Sequence, residues 1–132
     1  MAASGKGGAR GSTAVEYAIV LPLLLMIVLG LLDVGRLIWS YTTLSRSVEA
    51  AARCAVVNAT TCGSATATQS YAAGEAWGLG LTASAFTATT ATCGARVTGT
   101  LNFTFVIPWF YVASPFGVGN ALTLNAVACY PT

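Results

Sequence analysis

From Tyr17 to Leu32 the chain carries no charged residue, reading Y-A-I-V-L-P-L-L-L-M-I-V-L-G-L-L, and this run limits the possible folds more than any other feature. Carried on across Asp33 and Arg36 to Trp39, it exceeds the ~20 residues that cross a ~30 Å hydrocarbon core. A membrane-spanning helix is the expected structure. Tyr17 lies at one end and Trp39 with Tyr41 at the other, where amphipathic rings prefer the two headgroup layers. Lys6 and Arg10 are the charges ahead of Glu16, whereas Asp33 and Arg36 nearly cancel on the far side. The positive-inside bias therefore predicts a cytoplasmic N-terminus, with everything after about residue 40 outside.

An ordinary secretory signal is cut after its apolar region at an A-x-A-like site, but D-V-G-R-L-I-W-S-Y follows here. There is no cysteine directly after the run, as a lipoprotein signal requires, and no twin-arginine pair. Any processing signal is expected upstream, within R-G-S-T-A-V-E-Y at Arg10 to Tyr17.

That segment resembles a prepilin-peptidase site: a short basic, Gly-rich leader, then Gly11, then Glu16 and Tyr17 at the fifth and sixth positions of the chain that cleavage would leave. Together with V-L-P-L-L-L, L-L-D-V-G-R-L and A-A-R-C, it is similar to TadE-like pseudopilins of the tight-adherence (Flp) pilus system. The resemblance is strong over about residues 10 to 56 and looser beyond, and Flp major pilins are much shorter chains. It implies that Gly11 ends the leader and Ser12 becomes the N-terminus. It also implies a structural subunit in the bacterial inner membrane whose partners are the prepilin peptidase and other pilin or pseudopilin subunits, in a homo- or hetero-oligomeric filament. A carboxylate within hydrocarbon costs ~3 kcal/mol. The resemblance supplies Glu16 with a cation, the Ser12 α-amine of its own or a neighbouring subunit. The alternative for Glu16 is a carboxylate snorkelling at a helix end with no special role.

Pro22 removes the backbone bond to the Ala18 carbonyl and predicts a kink or local melting near Ala18 to Pro22, unless neighbouring groups re-satisfy the carbonyl, as in many membrane helices. Beyond the membrane, Leu37, Tyr41, Leu44, Val48, Ala51 and Ala55 recur at helical spacing, so the helix is expected to continue to about Val56. Arg46, Glu49 and Arg53 fall on a different, solvated face. Such a helix from Thr13 would be ~65 Å long at ~1.5 Å per residue, and its outer half needs a packing partner. Residues 57–132 are the candidate.

These residues are rich in Ala, Thr, Ser and Gly and carry only Glu75 and Arg96 as charges, but their aromatics and alternation argue for order over low-complexity disorder. A short helix is expected over Ala65 to Trp77, stopped by Gly78 and Gly80, with a weak strand over Ala83 to Thr92. The strongest strand is Ala95 to Ile107, where Val97, Leu101, Phe103, Phe105 and Ile107 alternate with polar residues. Pro108 ends it, and an aromatic connection containing Trp109, Phe110 and Tyr111 leads to a returning strand, Ala121 to Cys129. The W-F-Y cluster is read either as a contact surface or as a tip folded back on the sheet. The fold class is α+β: a long transmembrane helix packed through its outer half on a small antiparallel sheet, a pilin-like ladle. The expected divisions are leader 1–11, membrane segment 12–39, extramembrane helix 40–56 and a disulfide-bonded domain 57–132.

Cys54, Cys62, Cys93 and Cys129 all lie on the expected outer side, where an even number of cysteines defaults to disulfides. Three pairings are possible, and spacing favours Cys54 with Cys62 and Cys93 with Cys129. Cys93 shares parity with the apolar face of its strand and Cys129 does not, so a bulge near Gly94 or Gly99 is expected to reconcile them. A four-cysteine metal site is the rival, disfavoured by the lack of any C-x-x-C pair and of any histidine.

No cofactor and no small-molecule substrate are expected. Without histidine, with four carboxylates of which three lie on the long helix, and without a phosphate-binding glycine loop, no catalytic constellation assembles. Loss of Lys6 and Arg10 with the leader would bring six basic residues down to the number of acidic ones, four. The remaining arginines form no basic patch, which argues against nucleic acid. The sequons at Asn58 and Asn102 are read as chance matches in a Thr-rich chain. Two classes remain: a processed pilin-like subunit, or an uncleaved single-span anchor holding a small binding domain at the outer membrane face.

Overall fold

A computed structural model of the protein describes residues 9–106 and 121–132. One helix, α1 (Ala9–Val57, 49 residues), runs the length of the molecule. At ~1.5 Å per residue it is ~74 Å long. It is unbroken at Pro22, so the local melting expected there does not occur. Proline removes a single donor, and the hydrogen bonds on either side carry the helix through.

α1 ends at a tight bend tied by polar side chains. The Asn58 N–H donates to the Cys54 carbonyl at 2.9 Å, and the Asn58 side chain caps the one-turn helix α2 (Ala59–Cys62) by accepting the Thr61 N–H at 3.2 Å. Ser64 then caps α3 (Ala65–Glu75), accepting the Ala67 N–H at 3.2 Å, as short hydroxyl side chains do at helix starts. α3 stops before Trp77, two residues short of expectation. The Ala76 N–H closes its last turn on Ala72, and Gly78 and Gly80 take the chain through positive φ of 78° and 64°.

Strands β1 (Phe86–Ala91), β2 (Gly94–Thr104) and β3 (Ala121–Tyr130) form an antiparallel meander in that order. The first residues of the expected first strand, Ala83–Ala85, form a 3-10 turn instead. β2 and β3 pair without interruption from Ala95↔Tyr130 to Thr104↔Ala121. The expected bulge is therefore absent. Cys93 lies in the two-residue turn between β1 and β2, since Ala91 pairs with Gly94, and a turn residue is not bound by strand parity. Ile107, Pro108 and the W-F-Y cluster lie outside the described residues.

The sheet lies on the outer half of α1. Leu44, Val48, Ala51 and Ala52 meet Ala72 and Ala76 of α3 and Phe86, Val97 and Ala126 of the three strands. Small side chains let the helix come close, and Ser47, fully buried, satisfies its hydroxyl by donating to the Leu44 carbonyl at 2.8 Å. Leu44, Val48 and Ala51 of the expected stripe are core, and Arg46, Glu49 and Arg53 are exposed as expected. Tyr41 is exposed, because toward the membrane end the covered face passes through Ser40 and Asp33. On β2, Val97 and Phe103 point inward and Arg96, Thr100 and Asn102 outward. Asn102 accepts the Thr123 hydroxyl at 3.0 Å across the strands, so both sequon asparagines hold structural hydrogen bonds.

Gly99 sits where the layers are closest. A Cβ there would lie 2.9 Å from the Phe86 ring and 3.0 Å from the Leu44 methyl. Gly99→Val should cost ~1–3 kcal/mol through overpacking, read as a lower thermal midpoint in detergent with unchanged helix content. The disulfides should also differ in weight. Cys93–Cys129 spans 36 residues and Cys54–Cys62 spans 8, so chain entropy assigns about 4 and about 2.5 kcal/mol respectively. Denaturant unfolding of the two double Cys→Ala variants measures this order.

Candidate functional site

From Thr13 to Leu32 α1 is not covered by the sheet or by α3. Every side chain there is exposed, and Gly30 is half-buried. In water this aliphatic cylinder would be strongly unfavourable at ~25 cal/mol per Å² of apolar surface. It is the one helix, among the described residues, long and apolar enough to cross a membrane. The bare length of about 20 residues measures ~30 Å, the thickness of a hydrocarbon core. The fold thus divides at Leu32 into a bare handle and a packed head.

Gly11 and Ser12 belong to the first turns of α1. Glu16 and Tyr17 lie on the handle with exposed side chains, and Glu16 meets no cation among the described residues. The carboxylate and the apolar surface are thus presented together.

At the junction stands a polar collar. Asp33 is 2% exposed. Arg36, one turn on, donates to Asp33 Oδ1 at 3.0 Å, and the backbone N–H of Val106, just past β2, donates to Asp33 Oδ2 at 3.1 Å. A carboxylate removed from water requires such partners. The Arg36 guanidinium also lies over the Phe103 ring, 5.4 Å from its centre, and Phe103 meets Phe105 edge to face at 5.2 Å. Two residues that cancel one another in the sequence thus hold the lower end of the sheet to the helix. The D-x-x-R spacing in L-L-D-V-G-R-L signals the ion pair, but nothing in the sequence names Val106 as its third member.

One turn further, Trp39 packs against Trp77, centroids 6.0 Å apart and planes at 78°. At the far end of the head, Cys54 joins Cys62 and Cys93 joins Cys129, with Cα separations of 5.7 and 6.2 Å. The chemistry of these cysteines is structural. Near α3's end the Glu75 carboxylate, with some burial, raises the Tyr71 phenol above its ordinary value, which keeps it neutral.

The family described as TadE-like protein matches residues 11–53, spanning Gly11, Glu16, Tyr17, Asp33 and Arg36. The match covers 43 of the 132 residues, and the single candidate span among the described residues fits a single-pass membrane protein. No curated protein and no solved structure matches the chain significantly.

The collar yields a graded prediction. Asp33→Ala removes the acceptor of the part-buried Val106 N–H and the partner of Arg36 and should cost ~1 kcal/mol, with loss of hydrogen-exchange protection at Val106. Asp33→Asn keeps an acceptor oxygen, so it should retain part of that protection.

Proposed function

We propose that this chain is a pilin-like, TadE-type subunit that a prepilin peptidase cuts between Gly11 and Ser12 and that takes part in building or forming a Tad-type adhesive pilus. The observation that carries this reading is the bare handle of α1 with Glu16 at its N-terminal mouth, joined to a head that packs only from Asp33 onward. A helix that serves only as an anchor needs length and apolarity, and it has no use for a carboxylate near its end that costs ~3 kcal/mol in hydrocarbon. An assembling helix does have a use for it. The α-amine freed at Ser12 lies about one turn from Glu16, and pairing with it, within one subunit or between two, neutralises both charges as the handle leaves lipid for a filament of other pilin or pseudopilin subunits.

In this reading the N-terminus is cytoplasmic, following Lys6 and Arg10. The head stands in the periplasm, where two disulfides are at home. The hydrocarbon boundary falls at Leu32, because the sheet already covers the helix at Asp33. Trp39 then stands above the boundary. The second reading is an uncleaved inner-membrane anchor displaying the head as a binding domain, and it makes no use of Gly11 or Glu16.

N-terminal sequencing and intact mass of the protein from its native host separate the two: Ser12 as first residue supports processing, and an intact leader supports the anchor. Glu16→Gln should still be cut after Gly11, insert and form both disulfides, yet lose pilus production or co-purification with other pilins. Unchanged piliation would remove Glu16 from the assembly mechanism.

A further inference from the structure

The head has a second apolar feature on its membrane-proximal side. Trp39 of α1 and Trp77 of the turn after α3 stand edge to face, yet they are 43% and 71% exposed. An aromatic pair that served only the core would be covered. The turn is shaped around it: Gly78 holds φ 78°, and a Cβ at that position would lie 2.8 Å from the Trp39 ring. Beside the pair opens a cleft of about 280 Å³ lined by Arg36, Trp39, Ser40, Gly78, Leu79 and Phe103. The Arg36 side chain is 52% exposed at its edge, with guanidinium donors beyond the one given to Asp33.

The height of this feature above the bilayer follows from α1. If the hydrocarbon ends at Leu32, Arg36 lies ~6 Å and Trp39 ~10 Å further along the axis. Helical side chains lean back toward the N-terminus, which lowers both heads into the headgroup layer, ~5–8 Å thick on each side. Trp77, in contact with Trp39, reaches the same layer from a part of the chain remote from the span. Indole is the side chain best suited to that layer.

We infer that the Trp39–Trp77 pair and the adjoining Arg36 cleft form a membrane-resting face, which seats the head on phospholipid headgroups of the outer leaflet of the inner membrane and takes a lipid phosphate at Arg36. The occupant is the lipid surface because the face is continuous with the span itself and pairs amphipathic rings with a cation. This inference rests on the membrane placement of the handle given above. The head then meets the bilayer at two points, the helix and the turn, which fixes its tilt.

The test uses the full chain in lipid vesicles at high lipid-to-protein ratio. Trp39→Phe with Trp109→Phe leaves Trp77 as reporter, and Trp77→Phe with Trp109→Phe leaves Trp39. Non-reducing peptide mapping checks that each variant keeps both disulfides. Lipids carrying a nitroxide on the headgroup should quench Trp77 more strongly than lipids labelled deep in the acyl chain, and Trp39 likewise. Arg36→Gln should weaken the quenching of Trp77. Quenching of Trp39 with Trp77 untouched would overturn the inference and leave the membrane helix standing. Quenching of Trp77 that changes with protein dilution at constant lipid would assign the face to a second copy and also overturn it. If neither indole is quenched and alkaline carbonate strips the protein from the vesicles, the membrane placement itself fails.

Discussion

One continuous helix carries two kinds of surface, a bare apolar length and a packed one, and the rest of the structure follows from where it changes between them. From Ala18 to Leu32 every side chain of α1 is exposed and apolar; above it, one face is covered by sheet and α3. A helix can cross this boundary without a break because its backbone bonds are internal, so the change of environment is borne by side chains alone. Asp33 marks the change. Its carboxylate is affordable there because Arg36 and the Val106 N–H meet it, and those partners bring β2 down to the level where the bare handle begins.

Above the collar the head is built with little bulk. Its buried members are mainly alanines with Leu44, Val48, Phe86 and Val97, and Gly99 lets β2 close on Phe86 and Leu44. A core of this size supplies limited hydrophobic stabilisation. Two disulfides and the length of α1 shared between handle and head make up the difference, since the helix is nucleated once and serves both parts.

Much of this was legible from spacing. The apolar run, the stripe through Leu44, Val48 and Ala51, and the alternation of β2 each report a local period that burial on one face imposes. Glu16 stood out because a lone carboxylate beside such a run has a cost to explain. What spacing could not show depends on contacts between distant residues. Tyr41 has the period of the stripe, yet the sheet's placement leaves it outside. Cys93 and Cys129 look mismatched in parity only while the alternation of β2 is carried back into the turn that holds Cys93. Asp33 and Arg36 looked like a cancelling pair because their third partner is a backbone amide seventy-odd positions away, and backbone amides carry no sequence signature. Trp77 read as helix end, whereas its exposed contact with Trp39 exists only once α3 is folded against α1.

The two disulfides sit at the same end of the head, the end remote from the handle. Cys54 and Cys62 tie the close of α1 to α2, and Cys93 and Cys129 tie the β1–β2 turn to the last residues of β3. The opposite end, where β2 meets Asp33, is held by an ion pair and hydrogen bonds. The head is therefore mechanically asymmetric. Tension transmitted along α1 loads the reversible collar first, and separation of helix from sheet advances as a peel from the base, while the disulfides, one closed within the helices and one within the sheet, keep each part intact. Partial opening of that kind leaves the strand order intact, so the collar can re-form when the load is released.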